Sequence, residues 1–269
     1  MKIFVLVKQV PNTTQVKLDP KTGSLIREGV EAIMNPDDRQ AVEAALRIRE
    51  AGGGQVIALS MGPAQAVDVL TEALGMGVDK GVLLTDRLFA GADTWATSLT
   101  LARAIEVLGG ADLVVCGRQA IDGDTAQIGP QVAEALGLNQ ATFVQEMELK
   151  EDRLVVSRQV EDGLEKLSLN LPALVTISSG FGQPRYPEAS RLLSACENPA
   201  PIQVMNAADL GLKAEEVGLE GSLTQVIKTF SPKQARAGLI LESSPEQAAK
   251  TLVARLREAG ILREAGRGR

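Results

Sequence analysis

The chain has 269 residues, 28 Lys and Arg against 34 Asp and Glu for a formal net charge of -6, no histidine, two cysteines, and one Trp, one Tyr and five Phe. Without histidine, a Ser-His-Asp triad, a Cys-His pair, a His-bearing zinc site and a histidine proton shuttle are excluded within this chain. Cys116 and Cys196 supply neither a four-thiolate metal site nor a disulfide framework, so a reducing, cytoplasmic compartment is expected.

A chain of this length forms roughly one to two domains and buries about three quarters of its unfolded surface, so it needs no staples. Its mild acidity and scattered aromatics speak against a nucleic-acid surface, which needs a basic stripe or a stacking sheet. No apolar run approaches the roughly 20 residues that cross a bilayer, so no membrane insertion is expected. The opening run to Lys8 is too brief for a signal peptide.

Ile3 to Val7 is a continuous apolar run of the kind that forms a strand covered on both faces. Asn35-Pro36-Asp37-Asp38 then offers an N-cap, a proline at the first helical position and acids in the first turn, and AVEAALRIRE continues at helical spacing to Gly52-Gly53-Gly54. QVIALS from Gln55 predicts a strand, Pro63 to Leu74 a helix ended by Gly75 and Gly77, and GVLLT from Gly81 another strand. Asp93 or Thr94 caps a helix running to Gly109-Gly110, ADLVVC from Ala111 is a strand, and Thr125 to Leu136 is a fourth helix. This alternation implies right-handed crossovers and a mainly parallel, doubly wound α/β sheet whose ligands sit beyond the strands' carboxyl ends at a topological switch point.

After Leu138 the texture changes. Thr142 to Leu149, Arg153 to Val160 and Leu164 to Leu169 read as an antiparallel meander, after which Ala173 to Ile177 returns to the parallel sheet. Beyond Gly180 the chain is rich in Pro, Gly and Ser and recovers helical periodicity only from Pro245 to Ala259. With so little core of its own, this stretch is expected to embrace a partner. The final GRGR reads as a frayed basic tail. The expected division is an α/β domain over 1–190 and an extended C-terminal arm with its terminal helix over 191–269.

Two glycine-bearing motifs carry no phosphate site. Gly75-Met76-Gly77-Val78-Asp79-Lys80-Gly81 follows a helix and precedes a strand, the reverse of the order that aims a helix N-terminus at phosphate, so it is a helix C-cap turn. Ser178-Ser179-Gly180 lacks the SGGxDS pattern of ATP pyrophosphatases. The informative stretch is GRQAIDGDTAQIGP from Gly117 to Pro130, which leaves a strand's carboxyl end and enters a helix, where an anion is favourably held. Asp122 and Asp124 would repel a diphosphate and are assigned to capping, loop fixing or ribose hydroxyls. That leaves Thr125, Gln127 and the amides of Gly123, Ala126 and Gly129 for phosphate. An Asp-Gly turn with an N-cap accounts for the same residues without a ligand, and a two-aspartate metal site lacks further ligands, so no metal is expected. Trp95 reads as core or interface rather than as a stacking group, while Thr94 and Thr97 share a helix face.

Taken together, VLVKQVPN, MNPDDRQAVEAAL, SMGPAQ with ALGMGVDKG, GRQAIDGDTAQIGP, LPALVTI and QPRY resemble, in order and over nearly the whole chain, the beta subunit of electron transfer flavoprotein. The resemblance implies an adenine-nucleotide-alpha-hydrolase-like doubly wound sheet and an alpha/beta heterodimer whose C-terminal arm crosses onto an FAD-bearing alpha subunit. Conventional members hold AMP in the beta subunit and accept electrons from acyl-CoA dehydrogenases. Electron-bifurcating members hold a second FAD there, oxidise NADH, and send electrons to ferredoxin or flavodoxin and to a dehydrogenase or quinone-linked oxidoreductase. DGDTAQIGP and DRLFAGADTWATS resemble the bifurcating group, with small Gly123 and Ala126 leaving room for the larger cofactor.

Carried over residue by residue, the resemblance implies nucleotide contacts at Leu6, Lys8, Asn35, Pro36, Asp38, Met61, Gln119, Asp122, Gly123, Asp124, Thr125, Ala126, Gln127, Ile128 and Gly129, with Thr94 and Thr97 as bifurcating-type additions. The loop that grips dehydrogenases maps to Pro184, Arg185, Tyr186 and Ala189, where Ala189 replaces the family's anchoring leucine. No side chain of this chain is expected to be catalytic, since flavin carries the hard chemistry. Two other classes remain: a stand-alone adenine-nucleotide-binding stress or signalling module, and an ATP-dependent ligase or hydrolase, which the missing phosphate-loop motif disfavours.

Overall fold

The computed structural model describes residues 1–12, 31–197, 202–228, 238, 240–241 and 243–262. The short Val, Ile and Leu runs form strands because each can be covered on both faces: β1 (Lys2–Leu6), β4 (Gln55–Met61), β5 (Lys80–Leu84), β6 (Leu113–Gly117) and β10 (Ala173–Ile177) are almost wholly buried. Helices α1 (Pro36–Gly52), α2 (Val67–Met76), α3 (Thr94–Val107) and α4 (Ile128–Ala135) alternate with them. Two short strands, β2 (Gln9–Pro11) and β3 (Ala32–Met34), pair antiparallel beside the sheet.

The main sheet has nine strands in the order β11-β5-β4-β1-β6-β10-β7-β8-β9, where β7 is Asn139–Lys150, β8 Arg153–Val160, β9 Gly163–Asn170 and β11 Ile202–Met205. From β11 to β7 every pairing is parallel, and β8 and β9 close the far end as the expected antiparallel meander. The chain leaves β1 toward β4 and β5 on one side and later places β6 on the other. The switch point therefore lies between the carboxyl ends of β1 and β6.

Alternation along each strand divides the core in two. Ile3, Val5, Val56 and Val115 face α1 and α2 through Ala41, Ala45, Leu46 and Leu70. Phe4, Leu59 and Val114 face the opposite way with Leu101, Ile105 and Val132 of α3 and α4. Each such large side chain contributes about 1.5–3 kcal/mol by leaving water, so the two layers fix the sheet before any loop is considered.

Four local expectations shift. Helix α4 starts at Ile128 and not at Thr125, because Asp124 and Ala126 take the left-handed conformation, φ 55° and 53°, which a right-handed helix cannot contain. The helix expected from Pro63 begins as a single 3-10 turn, Ala64–Ala66, before α2. Helix α5 (Ala189–Glu197) and strand β11 were not anticipated, and the stretch expected to lack core supplies the buried Met205, Ala207, Leu210 and Val217. A four-residue edge strand is too short for any periodicity to register.

The described residues group into two compact units, Met1–Ile227 and Lys228–Arg269. In the second, α6 (Pro245–Glu258) has Ser244 at its N-cap, Pro245 in the first turn, and Arg255 and Arg257 in the last turn, each favourable to the helix ends. The basic tail lies outside the described residues. Among the described residues no helix is long and apolar enough to cross a membrane.

Candidate functional site

Strand β1 ends at the switch point, with Leu6 in register with Leu59 of β4 and Cys116 of β6. Three segments meet on the next polar residue, Lys8. Its amide donates to Asp38 Oδ2 at 2.8 Å, its carbonyl accepts from the Asn35 amide at 2.9 Å, and its Nζ lies 2.8 Å from both carboxylate oxygens of Asp122.

Asn35 is fully buried, and its side chain does not make the expected N-cap bond. Its Nδ2 instead donates to the Gln119 carbonyl at 2.8 Å while its Oδ1 accepts from the Ile121 amide at 3.1 Å. A carboxamide offers donor and acceptor at one end of a short side chain, so it pins both sides of a turn where a carboxylate would repel the carbonyl. The functional content of Asn35 is thus to hold the loop after β6, a role the helix-start pattern could not reveal.

Glycine at 117 allows α1 to begin this close to β6. A Cβ there would lie 2.3 Å from Asp38 Oδ1 and 2.8 Å from the Asp37 carbonyl carbon. The approach buries both acids. Desolvation pushes the Asp38 carboxyl up to about 7 against hydrogen bonds from Asn35 and Lys8. Burial likewise raises Asp37, opposed by Arg118, whose Nε lies 3.6 Å from Asp37 Oδ2. Burial also pushes the Cys116 thiol up, with the Asp38 charge adding to it, so this cysteine is an inert core group. Pro36 begins the helix as its first residue and Met61 closes β4, half-buried.

Between Arg118 and Gln127 the loop folds on itself. The amides of Gly123 and Asp124 both donate to the Ala120 carbonyl, at 3.3 and 2.9 Å, so the Gly123 amide assigned above to phosphate is already engaged. Asp122 is paired with Lys8, and Asp124 Oδ1 accepts from Gln119 Nε2, so both carboxylates fix the loop from within. Among the described residues, no backbone carbonyl accepts from the amides of Thr125, Ala126 or Gln127. Ile128 and Gly129 add the unbonded amides of a first helical turn. Gly129 draws that turn onto the sheet, since a Cβ would lie 2.5 Å from Thr176 Cγ2 and 3.0 Å from Cys116 Sγ. Gly123, by contrast, faces open space, with nothing within 4 Å of where its Cβ would be. A row of free amides at a helix N-terminus, next to open space and with its carboxylates engaged by Lys8 and Gln119, fits the phosphates of a bound nucleotide.

Thr94, in the first turn of α3, joins this loop. Its hydroxyl donates to Gln127 Oε1 at 3.1 Å and accepts from Gln131 Nε2 at 3.3 Å, while the Ser98 hydroxyl donates to Gln131 Oε1 at 2.9 Å. Gln131 was given no role from the sequence, although it lies one turn beyond Gln127, whereas Ser98 closes the DTWATS stretch already singled out. Thr97 is half-buried a turn from Thr94, and its hydroxyl makes no hydrogen bond among the described residues. Trp95 is 42% exposed and thus a surface residue, not core.

The segment expected to grip partners is only partly free. Arg185 turns inward onto α1, where its Nε donates to Glu43 Oε2 at 2.7 Å and its NH1 to Glu50 Oε1 at 2.6 Å. Burial pushes the Glu43 carboxyl up, but hydrogen bonds from Arg185 and Arg47 hold it below the usual range, and the two glutamates raise the Arg185 guanidinium. Pro184 is half-buried, whereas Tyr186, 83% exposed, and Ala189 at the start of α5 face outward.

A mainly parallel sheet with an amide-lined loop at its switch point defines a doubly wound α/β protein. The chain belongs to the electron transfer flavoprotein family, whose model, described as the electron transfer flavoprotein domain, matches residues 22–210. It is 48% identical over 262 residues to the electron transfer flavoprotein subunit beta of Thermoanaerobacterium thermosaccharolyticum, covering 97% of this chain and 100% of the relative. It is 46% identical over 264 residues to subunit CarD of the caffeyl-CoA reductase-Etf complex of Acetobacterium woodii, covering 97% and 100%. The acryloyl-CoA reductase electron transfer subunit gamma of Anaerotignum propionicum is 38% identical over 268 residues, covering 97% and 100%.

Proposed function

We propose that this chain is the beta subunit of a heterodimeric electron transfer flavoprotein that holds FAD in the loop Asp122–Gly129. The complex takes electrons from NADH and divides them between ferredoxin or flavodoxin and a dehydrogenase or quinone-linked acceptor. The observation that carries the reading is the open space at Gly123 beside the free amides of Thr125, Ala126 and Gln127. When bound, FAD supplies the exchange of a hydride for single electrons. The chain's own residues bind and orient: the amides of Ala126 and Gly129 and the Thr125 hydroxyl hold phosphate. Lys8, Asn35 and Gln119 fix the loop, and Thr94 and Gln127 tie it to α3.

Relatives bearing the names of caffeyl-CoA and acryloyl-CoA reductase subunits support an acyl-CoA-type acceptor. The C-terminal residues are assigned to an arm on the alpha subunit, and Tyr186 with Ala189 to the docking face for the dehydrogenase. Anaerobic titration of the purified alpha/beta complex with NADH tests the reading. Bleaching of the flavin absorbance is expected, and a spectrum unchanged by NADH contradicts it in favour of the conventional, AMP-holding type.

A further inference from the structure

We propose that Asp93 is a positioning residue that couples the nucleotide loop to the segment Gly218–Ile227. An N-cap needs one carboxylate oxygen, and Asp93 uses Oδ1 for it, accepting from the Ala96 amide at 3.0 Å. Its Oδ2 accepts from both the amide and the hydroxyl of Thr224, each at 2.9 Å, and its amide donates to Ser222 Oγ at 2.8 Å. The same segment lies directly on the turn before α3. The Leu219 amide donates to the Ala90 carbonyl at 3.1 Å, and a Cβ on Gly218 would lie 1.9 Å from the Leu88 carbonyl oxygen. Burial raises the Asp93 carboxyl, but the bonds from Ala96 and Thr224 hold it below its ordinary value, as a charge-assisted clamp should.

The adjacent residue reaches the other way, since Thr94 hydrogen-bonds Gln127 at the entrance of α4. The first turn of α3 therefore has the loop on one side and residues 218–224 on the other, and the Thr97 amide, donating to the Asp93 carbonyl at 3.0 Å, makes that turn one unit. Leu223, Val226 and Ile227 follow the clamp and are 74%, 79% and 96% exposed, so the coupling ends at an uncovered apolar stretch. Coupling between sites is reciprocal: a nucleotide that orders Thr94 and Gln127 tightens Thr224, and seating of the 218–227 segment tightens the nucleotide. The inference rests on the reading that this loop holds a nucleotide.

Hydrogen exchange on the full chain in complex with its alpha subunit, with and without added FAD and separately AMP, tests it. In the wild type, nucleotide is expected to slow exchange of the amides of residues 219–224 about fivefold or more. In Asp93→Asn, whose Oδ1 still caps α3, and in Thr224→Val, that response disappears while exchange in β1 and β4 is unchanged, and FAD binds about tenfold more weakly. Nucleotide binding without any change at residues 219–224, or a response retained in both variants, overturns the coupling alone. A wild-type complex that binds neither FAD nor AMP removes the nucleotide reading and the coupling with it.

Discussion

Asp38 shows how a single residue records its surroundings. Its folded carboxyl stands near 7 against an ordinary 3.8, so between these values the folded protein keeps a proton that the unfolded chain has released. Stability therefore falls as pH rises from about 4 to about 7 and levels off above. Asp38→Asn keeps an acceptor for the Lys8 amide and removes the charge. It is expected to leave stability unchanged near pH 4 and to raise it by up to about 4 kcal/mol at pH 8, read from urea midpoints. Asp37, raised in the same direction, leaves the variant a smaller residual slope.

Gly123 makes the opposite kind of prediction. Nothing lies within 4 Å of its Cβ direction, so Gly123→Val should match the wild type in melting temperature when both are nucleotide-free, yet lose beta-site nucleotide while the alpha-type flavin stays. Loss of both cofactors or of neither counts against the loop assignment. At this scale the sequence did not foretell the left-handed Ala126, which stands inside the helix expected from Thr125. It misled where a side chain acts across the fold. Asn35 reads as an N-cap from its neighbours, and only the arrival of Gln119 and Ile121, 84 and 86 residues on, gives its amide a better use.

Among elements, the decisive junction is α1 against β6. Because a Cβ at 117 would meet the Asp37 and Asp38 backbone at 2.8 Å, Gly117→Ala must push the start of α1 away from the switch point. A loss of about 2–4 kcal/mol in stability, with weakened nucleotide binding, is expected from chemical denaturation and titration. Unchanged stability would show that α1 can retreat without cost. The parallel strands and their helices were readable because short, continuous apolar runs and helical spacing stand out in the sequence itself. Helix α5 was not, since it owes its place to packing: Leu192 and Pro187 sit over Gly75, where a Cβ would come within 2.6 and 3.0 Å. The Arg185 clamp has the same long-range origin, its partners Glu43 and Glu50 lying 142 and 135 residues away. Arg185→Ala should therefore loosen residues 184–192, which limited proteolysis would register as new cleavage there with the sheet intact. Cleavage no faster than in the wild type would return Arg185 to a purely surface role.

For the whole molecule, chain order, the nine-stranded sheet and a switch point between β1 and β6 bring residues from separate stretches of sequence to the carboxyl ends of its central strands. The absent histidines fit the proposed role: a chain assigned to bind and orient a redox cofactor works with amides, hydroxyls and fixed carboxylates and can dispense with the usual protein acid-base group. The family was legible in the ordered set of motifs; AMP and FAD share an adenosine phosphate for these amides, and the open space at Gly123 is what favours the larger of the two. The direct measurement is therefore the amount of flavin and of AMP released per alpha/beta heterodimer on denaturation. Two flavins and no AMP are expected, and one flavin with one AMP contradicts the assignment of FAD to this chain.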